Sequence, residues 1–332
     1  MKKLYLFPMN RSTNPYVDNY RNSLLPYFDM SSTSNVINKN VRLDLLKKSF
    51  CQDVYCLNWV ESIPAGYKGL FLFILSLISL IVIRLRKSTI IWMFHNIHPH
   101  SGENMYSGII QRFLFKHSSV IISHSGQAAE FARERAHCDV VYICHPFSKI
   151  RTITSPVNNL ENDVFIWGSI LPYKGIPEFL EEVRNRNYKG RIHIIGGCNN
   201  DSLDNRIKSI SSSLDNVKYE NRKAEFSEIA TEIKKSKFTL FPYNGKSVSS
   251  SGALIDTIMF GGNPIGPNVG AFKDINQEEV CIVYNDYDEL FEILKGKSTI
   301  DSSKRELFIS QNTWNEFGAK INKLVQNYEI DN

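Results

Sequence analysis

The chain has no C-x2-C pair and no dense cysteine framework: its six cysteines stand at 51, 56, 138, 144, 198 and 281 of 332 residues. That excludes a disulfide scaffold and leaves reduced thiols of the cytoplasm as the economical reading. Cys51 and Cys56 have no second cysteine or histidine pair at zinc-site spacing nearby, so no structural metal is expected of them. The opening MKKLYLFPMN holds an apolar run too short for a cleavable signal peptide. No internal repeat is detectable, and no basic cluster with interleaved aromatics points to nucleic acid.

What is present is a globular balance, 42% apolar and 22% charged residues, in a chain long enough for two domains with real cores. The net charge of +5 is uneven: residues 1–150 carry 17 Lys+Arg against 9 Asp+Glu, the remainder 22 against 25. The basic half calls for an anionic partner, and an anionic membrane surface is the better candidate. Leu70 to Ile83 is almost wholly apolar and ends in Arg84, Arg86 and Lys87. It falls short of a bilayer span and reads either as a fully buried helix or as an element of the membrane interface.

Apolar runs at Lys3–Pro8, Asp53–Trp59, Thr89–Phe94, Val120–Ser125 and Val140–Pro146 read as strands, with helices over Tyr20–Phe28, Met105–Lys116 and Gln127–Arg135. Alternation of this kind describes a doubly wound α/β domain. His95, His98 and His100 follow the third strand, at the end where ligand-binding residues collect in such sheets, and the intervening Pro99 with no carboxylate pattern argues against a metal site. His124 and His145 also end strands, either lining a site or satisfied structurally. Polar, aperiodic Thr152–Asp163 reads as a linker. Beyond it, strands at Val164–Trp167, Arg191–Ile195, Asn216–Glu220, Lys237–Phe241 and Val280–Val283 alternate with helices over Glu178–Asn185 and Ser227–Lys235 and from Tyr287 and Trp314.

Phe241–Phe272 reads as strand end, polar loop, short helix, glycine stop and next strand. Ser249, Ser250 and Ser251 are natural N-caps, Gly252 lets a ligand approach the backbone, and Leu254, Ile255, Ile258 and Met259 give one apolar face before Gly261-Gly262. Free amides and the positive end of the helix dipole suit an anion. Upstream, Val164–Ile176 runs from an apolar strand into Gly168, then Lys174-Gly175, before an amphipathic helix. Two such loops can face one ligand.

This pair of elements resembles the C-terminal domain of group 1 (family 4-like) bacterial polysaccharide and O-antigen glycosyltransferases. There a strand ending in Gly-Arg, then Lys-Gly, precedes a Glu-x7-Glu segment closing on Gly-x-Pro-Val. The chain keeps Gly168, Lys174-Gly175 and Gly262-Asn263-Pro264-Ile265, but Ser169 stands at the arginine, and Ser249 and Thr257 at the two glutamates. The resemblance implies an α/β, GT-B fold: two Rossmann-like doubly wound domains facing across a cleft, an acceptor-binding domain over residues 1–155, a nucleotide-sugar domain over 160–312 and a helix over 313–332 crossing back. It implies transfer of a sugar from a nucleotide diphosphate sugar to a hydroxyl of a lipid-linked saccharide in surface polysaccharide (O-antigen or capsule) synthesis, peripheral on the inner face of the membrane. No metal and no cofactor beyond the donor is expected. Gly168, Ser169, Lys174, Gly197, Tyr243, Ser249, Ser250, Ser251, Gly252, Asp256 and Thr257 are the donor-binding candidates. His95, His98 and Glu103 are the catalytic ones, with His95 facing the transferred sugar and Glu61 or His100 as further candidate bases. Asn58-Trp59 resembles a His-Trp pair of such relatives, though Trp59 reads equally as core. The alternatives are a nucleotide-sugar epimerase of the same fold and a non-catalytic sugar-nucleotide-binding subunit.

Overall fold

The computed structural model describes residues 1–8, 15–30, 41–95, 97, 104–148, 160–244, 251–297 and 299–330. They form two compact units, one of Met1–Ser148 with Asn312–Asn332 and one of Lys149–Gln311.

The first unit is built on a five-stranded parallel sheet, β1 (Leu4–Phe7), β2 (Val54–Asn58), β3 (Thr89–Met93), β4 (Val120–Ser123) and β5 (Asp139–Tyr142), lying side by side in chain order. Successive strand residues point to opposite faces. Leu4, Leu6, Val54, Cys56, Ile91 and Met93 therefore join one core, while Tyr5, Phe7, Tyr55, Leu57, Ile90 and Trp92 join the other. Right-handed crossovers that always step the same way put their helices on one face. That face carries α2 (Val41–Lys48), α3 (Gly66–Leu85), α4 (Met105–His117) and α5 (Gly126–Arg133), which contribute Leu45, Leu80, Ile83, Ile110, Leu114 and Ala128. The opposite face needs another cover. It is supplied by α1 (Pro15–Leu24) and by α13 (Trp314–Ile330), whose Trp314, Phe317, Ile321 and Val325 lie on one stripe of the helix. The first helix thus starts five residues before the expected Tyr20, with Pro15 in its first turn, where a missing N–H does no harm.

The helix α3 is longer than its apolar run suggests, 20 residues rather than fourteen, so by length and composition alone it could cross a membrane. It is also not fully buried. Leu75, Ser76, Ser79, Leu80 and Ile83 pack inward, whereas Tyr67, Leu70, Phe71, Ile74, Ile78 and Leu85 form an exposed stripe.

The second unit has six parallel strands in the order β11-β10-β9-β6-β7-β8: β6 (Asn162–Trp167), β7 (Ile192–Ile195), β8 (Val217–Glu220), β9 (Ser236–Leu240), β10 (Pro264–Pro267) and β11 (Ile282–Tyr284). The chain starts in the middle, winds outward one way, returns to pair β9 beside β6, and winds outward the other way. Such a reversal puts helices on both faces. Val164 and Ile166 of β6 pack with α6 (Ile176–Asn185), α7 (Asp201–Ser211) and α11 (Tyr287–Lys295), whereas Phe165 packs with Ile229 and Ile233 of α8 (Phe226–Lys234). The helix α7 is absent from the sequence expectation, although Asn200 caps it, Asp201 and Asp204 occupy its first turn, and Leu203, Ile207 and Ile210 share a face. The unit is completed by α9 (Gly252–Met259), α10 (Gly270–Asn276) and α12 (Ser302–Gln311).

Candidate functional site

In a doubly wound sheet, adjacent strands whose connections leave in opposite directions open a crevice at their carboxyl ends. Here those strands are β6 and β9. Past Trp167 the chain turns at Gly168, whose φ of +100° disfavours a side chain. It then makes a 3-10 turn over Pro172–Lys174 and ends that turn at Gly175 with φ +62°. A Cβ on Gly175 would lie 2.1 Å from the Pro242 carbonyl oxygen, so only glycine lets the loop after β6 approach the loop after β9 so closely. The two loops are tied by Asn244, whose N–H donates to the Tyr173 carbonyl at 2.9 Å and whose Nδ2 donates to Glu178 at 3.2 Å. Sequence reasoning missed Tyr173 and Asn244, whose role arises only when two loops far apart in the chain meet.

Lys174 is buried by this closure, only 9% exposed, with Nζ 5.4 Å from the centre of the Tyr243 ring and 3.5 Å from where a Gly168 Cβ would stand. No carboxylate among the described residues pairs with it. Desolvation alone pulls its ammonium pKa down to about 8. Keeping that charge at neutral pH costs about 3 kcal/mol, so the crevice is poised for an incoming anion. Tyr243 packs edge-on against Tyr173 and Phe272, and Ser251 lies beside its hydroxyl. The Ser251 Oγ accepts from the Leu254 N–H and caps α9. Among the described residues, a side chain at Gly252 or at Gly197, on the loop after β7, would meet nothing within 4 Å, so both glycines leave room at the crevice. That loop is anchored by the Ile170 N–H donating to the Gly197 carbonyl at 2.9 Å and by the Asn221 side chain accepting from the Cys198 N–H at 2.9 Å.

The remaining donor-side candidates differ in character. Ser169 is exposed, and Asp256 is half-buried with its carboxyl pushed up to about 6 by burial. Thr257 is fully buried, and its hydroxyl accepts from the Trp167 indole N–H at 3.0 Å. At the position of a ligand-facing glutamate, this chain thus has a group that braces the strand end. The expectation of no metal passed over one Asp-x-Asp, Asp286-Tyr287-Asp288. Asp286 caps α11 through the Glu289 N–H and Asp288 pairs with Arg186 at 2.6 Å, so both carboxylates are already occupied.

At the strand ends of the first unit, His95 is buried and stacked flat on Trp59, with ring centres 4.3 Å apart. Asn58 Nδ2 donates to the Phe7 carbonyl, which turns Oδ1 toward His95 Nε2 at 3.1 Å and makes that nitrogen the donor. Tyr16 sits edge-on to His95, Trp59, His124 and Trp314. His124 Nδ1 donates to the Ile143 carbonyl at 2.7 Å and Nε2 accepts from the Tyr16 hydroxyl at 2.8 Å, so both ring nitrogens of His124 are satisfied. Burial holds His124 well below the usual histidine range and takes His145 down to about 4. Trp59 proves to be part of the core and a partner of His95 at once. Glu61, a candidate base, is buried at 4% exposure, accepts from the Trp92 indole N–H at 3.1 Å and is pushed up to about 7 by burial. It is an interior group, not one presented to an acceptor. His98, His100, Glu103, Ser249 and Ser250 lie outside the described residues. Among the described residues no group of three metal-ligating side chains is gathered.

The fold is that of the GT-B glycosyltransferases: two parallel sheets in α/β layers. No protein-family model matches the sequence, and no curated protein is similar to it. Solved structures are. HepE of Anabaena, in complex with UDP, superposes with a TM-score of 0.66 at 13% identity, over 98% of this chain and 100% of that one. A glycosyltransferase from Rickettsia africae gives 0.62 at 13% identity over 98% and 97% of the two chains. AviGT4, a glycosyltransferase involved in avilamycin A biosynthesis, gives 0.59 at 14% identity over 99% and 97%.

Proposed function

We propose that the chain is a glycosyltransferase of the group 1, family 4-like kind. It moves a sugar from a nucleotide diphosphate sugar to a hydroxyl of a lipid-linked saccharide in surface polysaccharide synthesis, at the inner face of the membrane. The observation that carries this reading is the buried Lys174 at the β6–β9 switch point, without a paired carboxylate among the described residues, in a fold whose solved neighbours include glycosyltransferases and a complex with UDP. As the glycosyl bond breaks, negative charge accumulates on the leaving diphosphate. Lys174 supplies a point charge there, and the first amides of α9 with its dipole supply the rest. A divalent ion is not required in this scheme. His95, oriented by Asn58 and Trp59, contacts the transferred sugar.

Release of nucleoside diphosphate from candidate nucleotide sugars, starting with UDP-sugars, tests the reading, with and without chelator. Binding of the nucleoside diphosphate without any turnover on a panel of acceptors would instead favour a non-catalytic sugar-nucleotide-binding chain. Thr257 bracing Trp167 in place of a glutamate favours that second reading.

The membrane part is supported by the exposed apolar stripe of α3 beside Arg84, Arg86 and Lys87. Vesicles containing anionic lipid should bind the protein, less as salt rises, and charge reversal at those three residues should abolish binding. Equal binding to neutral and anionic vesicles would remove this part of the proposal.

A further inference from the structure

A cavity of about 460 Å³ opens in the first unit between the last turn of α4 and the exit of α5. It lies at the amino-terminal edge of the sheet, one strand length away from His95 and the other rings at the carboxyl ends. Its polar lining consists of Gln111, Arg112, Lys116, Arg135 and His137, with no acidic residue among them. Its apolar walls are Phe115 and Phe131. The Arg135 guanidinium lies 3.6 Å over the Phe131 ring, and both of its hydrogen bonds, to the Phe131 carbonyl and to Glu134, use Nη1. Gln111 buries its side-chain nitrogen without a hydrogen-bond partner among the described residues. An amide donor left unmatched is costly, and a ligand oxygen that the side chain turns to meet would satisfy it. His137 is fixed at the rim by its N–H donating to the Phe115 carbonyl at 3.0 Å. Arg84, at the end of α3, is close enough to act electrostatically on His117 together with Lys116 and His137.

Three features coincide here. Arg112 and Lys116 offer donors with no carboxylate paired to them among the described residues, the buried amide lacks an acceptor there, and the volume exceeds what a bare anion fills but suits a phosphate carrying a small organic group. We infer that this cavity binds a phosphate ester, its phosphoryl oxygens held by Gln111, Arg112 and Lys116 and its organic portion laid against Phe115 and Phe131. The phosphate comes either from an anionic lipid headgroup or from a soluble phosphorylated metabolite. This inference rests on the cavity and not on the transferase reading.

The test uses the full chain and two probes: sn-glycerol 3-phosphate by calorimetry, and phosphatidylcholine vesicles with and without phosphatidylglycerol by co-sedimentation. Arg112→Ala with Lys116→Ala should weaken glycerol 3-phosphate binding by tenfold or more. Gln111→Leu, which leaves net charge unchanged, should weaken it about fivefold. Thermal unfolding of each variant and its affinity for UDP are measured alongside, and neither should change. Loss of UDP binding in the wild-type protein would concern the donor site and leave this one standing. If glycerol 3-phosphate displaces the protein from vesicles and Gln111→Leu weakens both, the site takes a lipid headgroup. If Gln111→Leu weakens only the soluble probe, it takes a soluble phosphate ester. The inference is overturned if glycerol 3-phosphate does not bind, or if Gln111→Leu binds both probes like wild type while only the charge variants lose affinity.

Discussion

In the first unit the carboxyl ends of β2 to β5 are closed by rings, with Trp59, His95, His124 and His145 gathered around Tyr16 and the histidines bonded to Asn58, to the Tyr16 hydroxyl or to carbonyls. In the second unit the ends of β6, β7 and β9 are lined by Gly168, Gly197 and Gly252 around a lysine that has burial but, among the described residues, no counter-charge. One end has been made rigid by mutual satisfaction, the other left incomplete. A site that holds a side chain in one orientation needs the first arrangement, and a site that waits for charge needs the second. The same parallel-sheet architecture supports both because each depends only on what the loops after the strands carry.

The contrast is broken most directly at Lys174. Lys174→Ala should lower turnover by about 2–4 kcal/mol in transition-state binding, while thermal stability stays level or rises, since an uncompensated buried charge is removed. Wild-type kinetics in this variant would mean that the incomplete site does not hold the diphosphate.

Glu61 gives the next largest effect. Its folded pKa of about 7 lies above the ordinary 4.5. The stability it contributes is therefore complete below pH 4.5 and lost as pH rises through about 7, by about 3 kcal/mol in all. Glu61→Gln should gain on the wild type between pH 5 and 8 in chemical denaturation. A constant difference between the two proteins over that range would show that the carboxyl is better solvated than its position implies.

Removing the ring from His95 should sharpen the comparison. His95→Ala loses the stack on Trp59 and should cost about 1–2 kcal/mol of stability, with a lower kcat and an unchanged affinity for nucleoside diphosphate. Nucleotide affinity that collapses along with activity would place His95 in the wrong role.

The smallest effect concerns pH. Because the free Lys174 titrates near 8, nucleoside diphosphate affinity should fall above that pH by up to about tenfold per unit. Lys174→Arg, which keeps its charge, should show no such fall. Parallel profiles for the two proteins would assign the charge requirement elsewhere.

The two kinds of strand end also differ in how far the sequence revealed them. Gly168, Lys174-Gly175 and Ser251-Gly252 are local signals, each a few residues long and read from what glycine, lysine and a capping serine do by themselves. The alternation of strands and helices on either side of β6 was legible in the same way, whereas the order in which those strands lie was not. The ring cluster was not legible, because Tyr16 meets His124 across 108 residues and Asn58 meets His95 across 37, and no short pattern encodes such meetings. Thr257 misled for the opposite reason: its place in the motif was clear, but the Trp167 indole that engages its hydroxyl lies 90 residues upstream. Boundaries of α3 slipped because the apolar run marks the packed and exposed stripes, whereas the helix also takes in Gly66-Tyr67-Lys68-Gly69 before it and Arg84-Leu85 after it.

The cover of the first sheet comes from both ends of its unit, α1 near the start and α13 after the whole of Lys149–Gln311. On a ribosome adding about 5–20 residues per second, the stripe of Tyr16, Val17, Tyr20 and Leu24 must wait roughly fifteen to sixty seconds for Trp314, Phe317, Ile321 and Val325 to emerge. The second unit, continuous in the chain, can finish folding during that delay. The first is held open with apolar surface uncovered, and those last four side chains, each contributing roughly 1.5–3 kcal/mol on burial, arrive as the step that closes it.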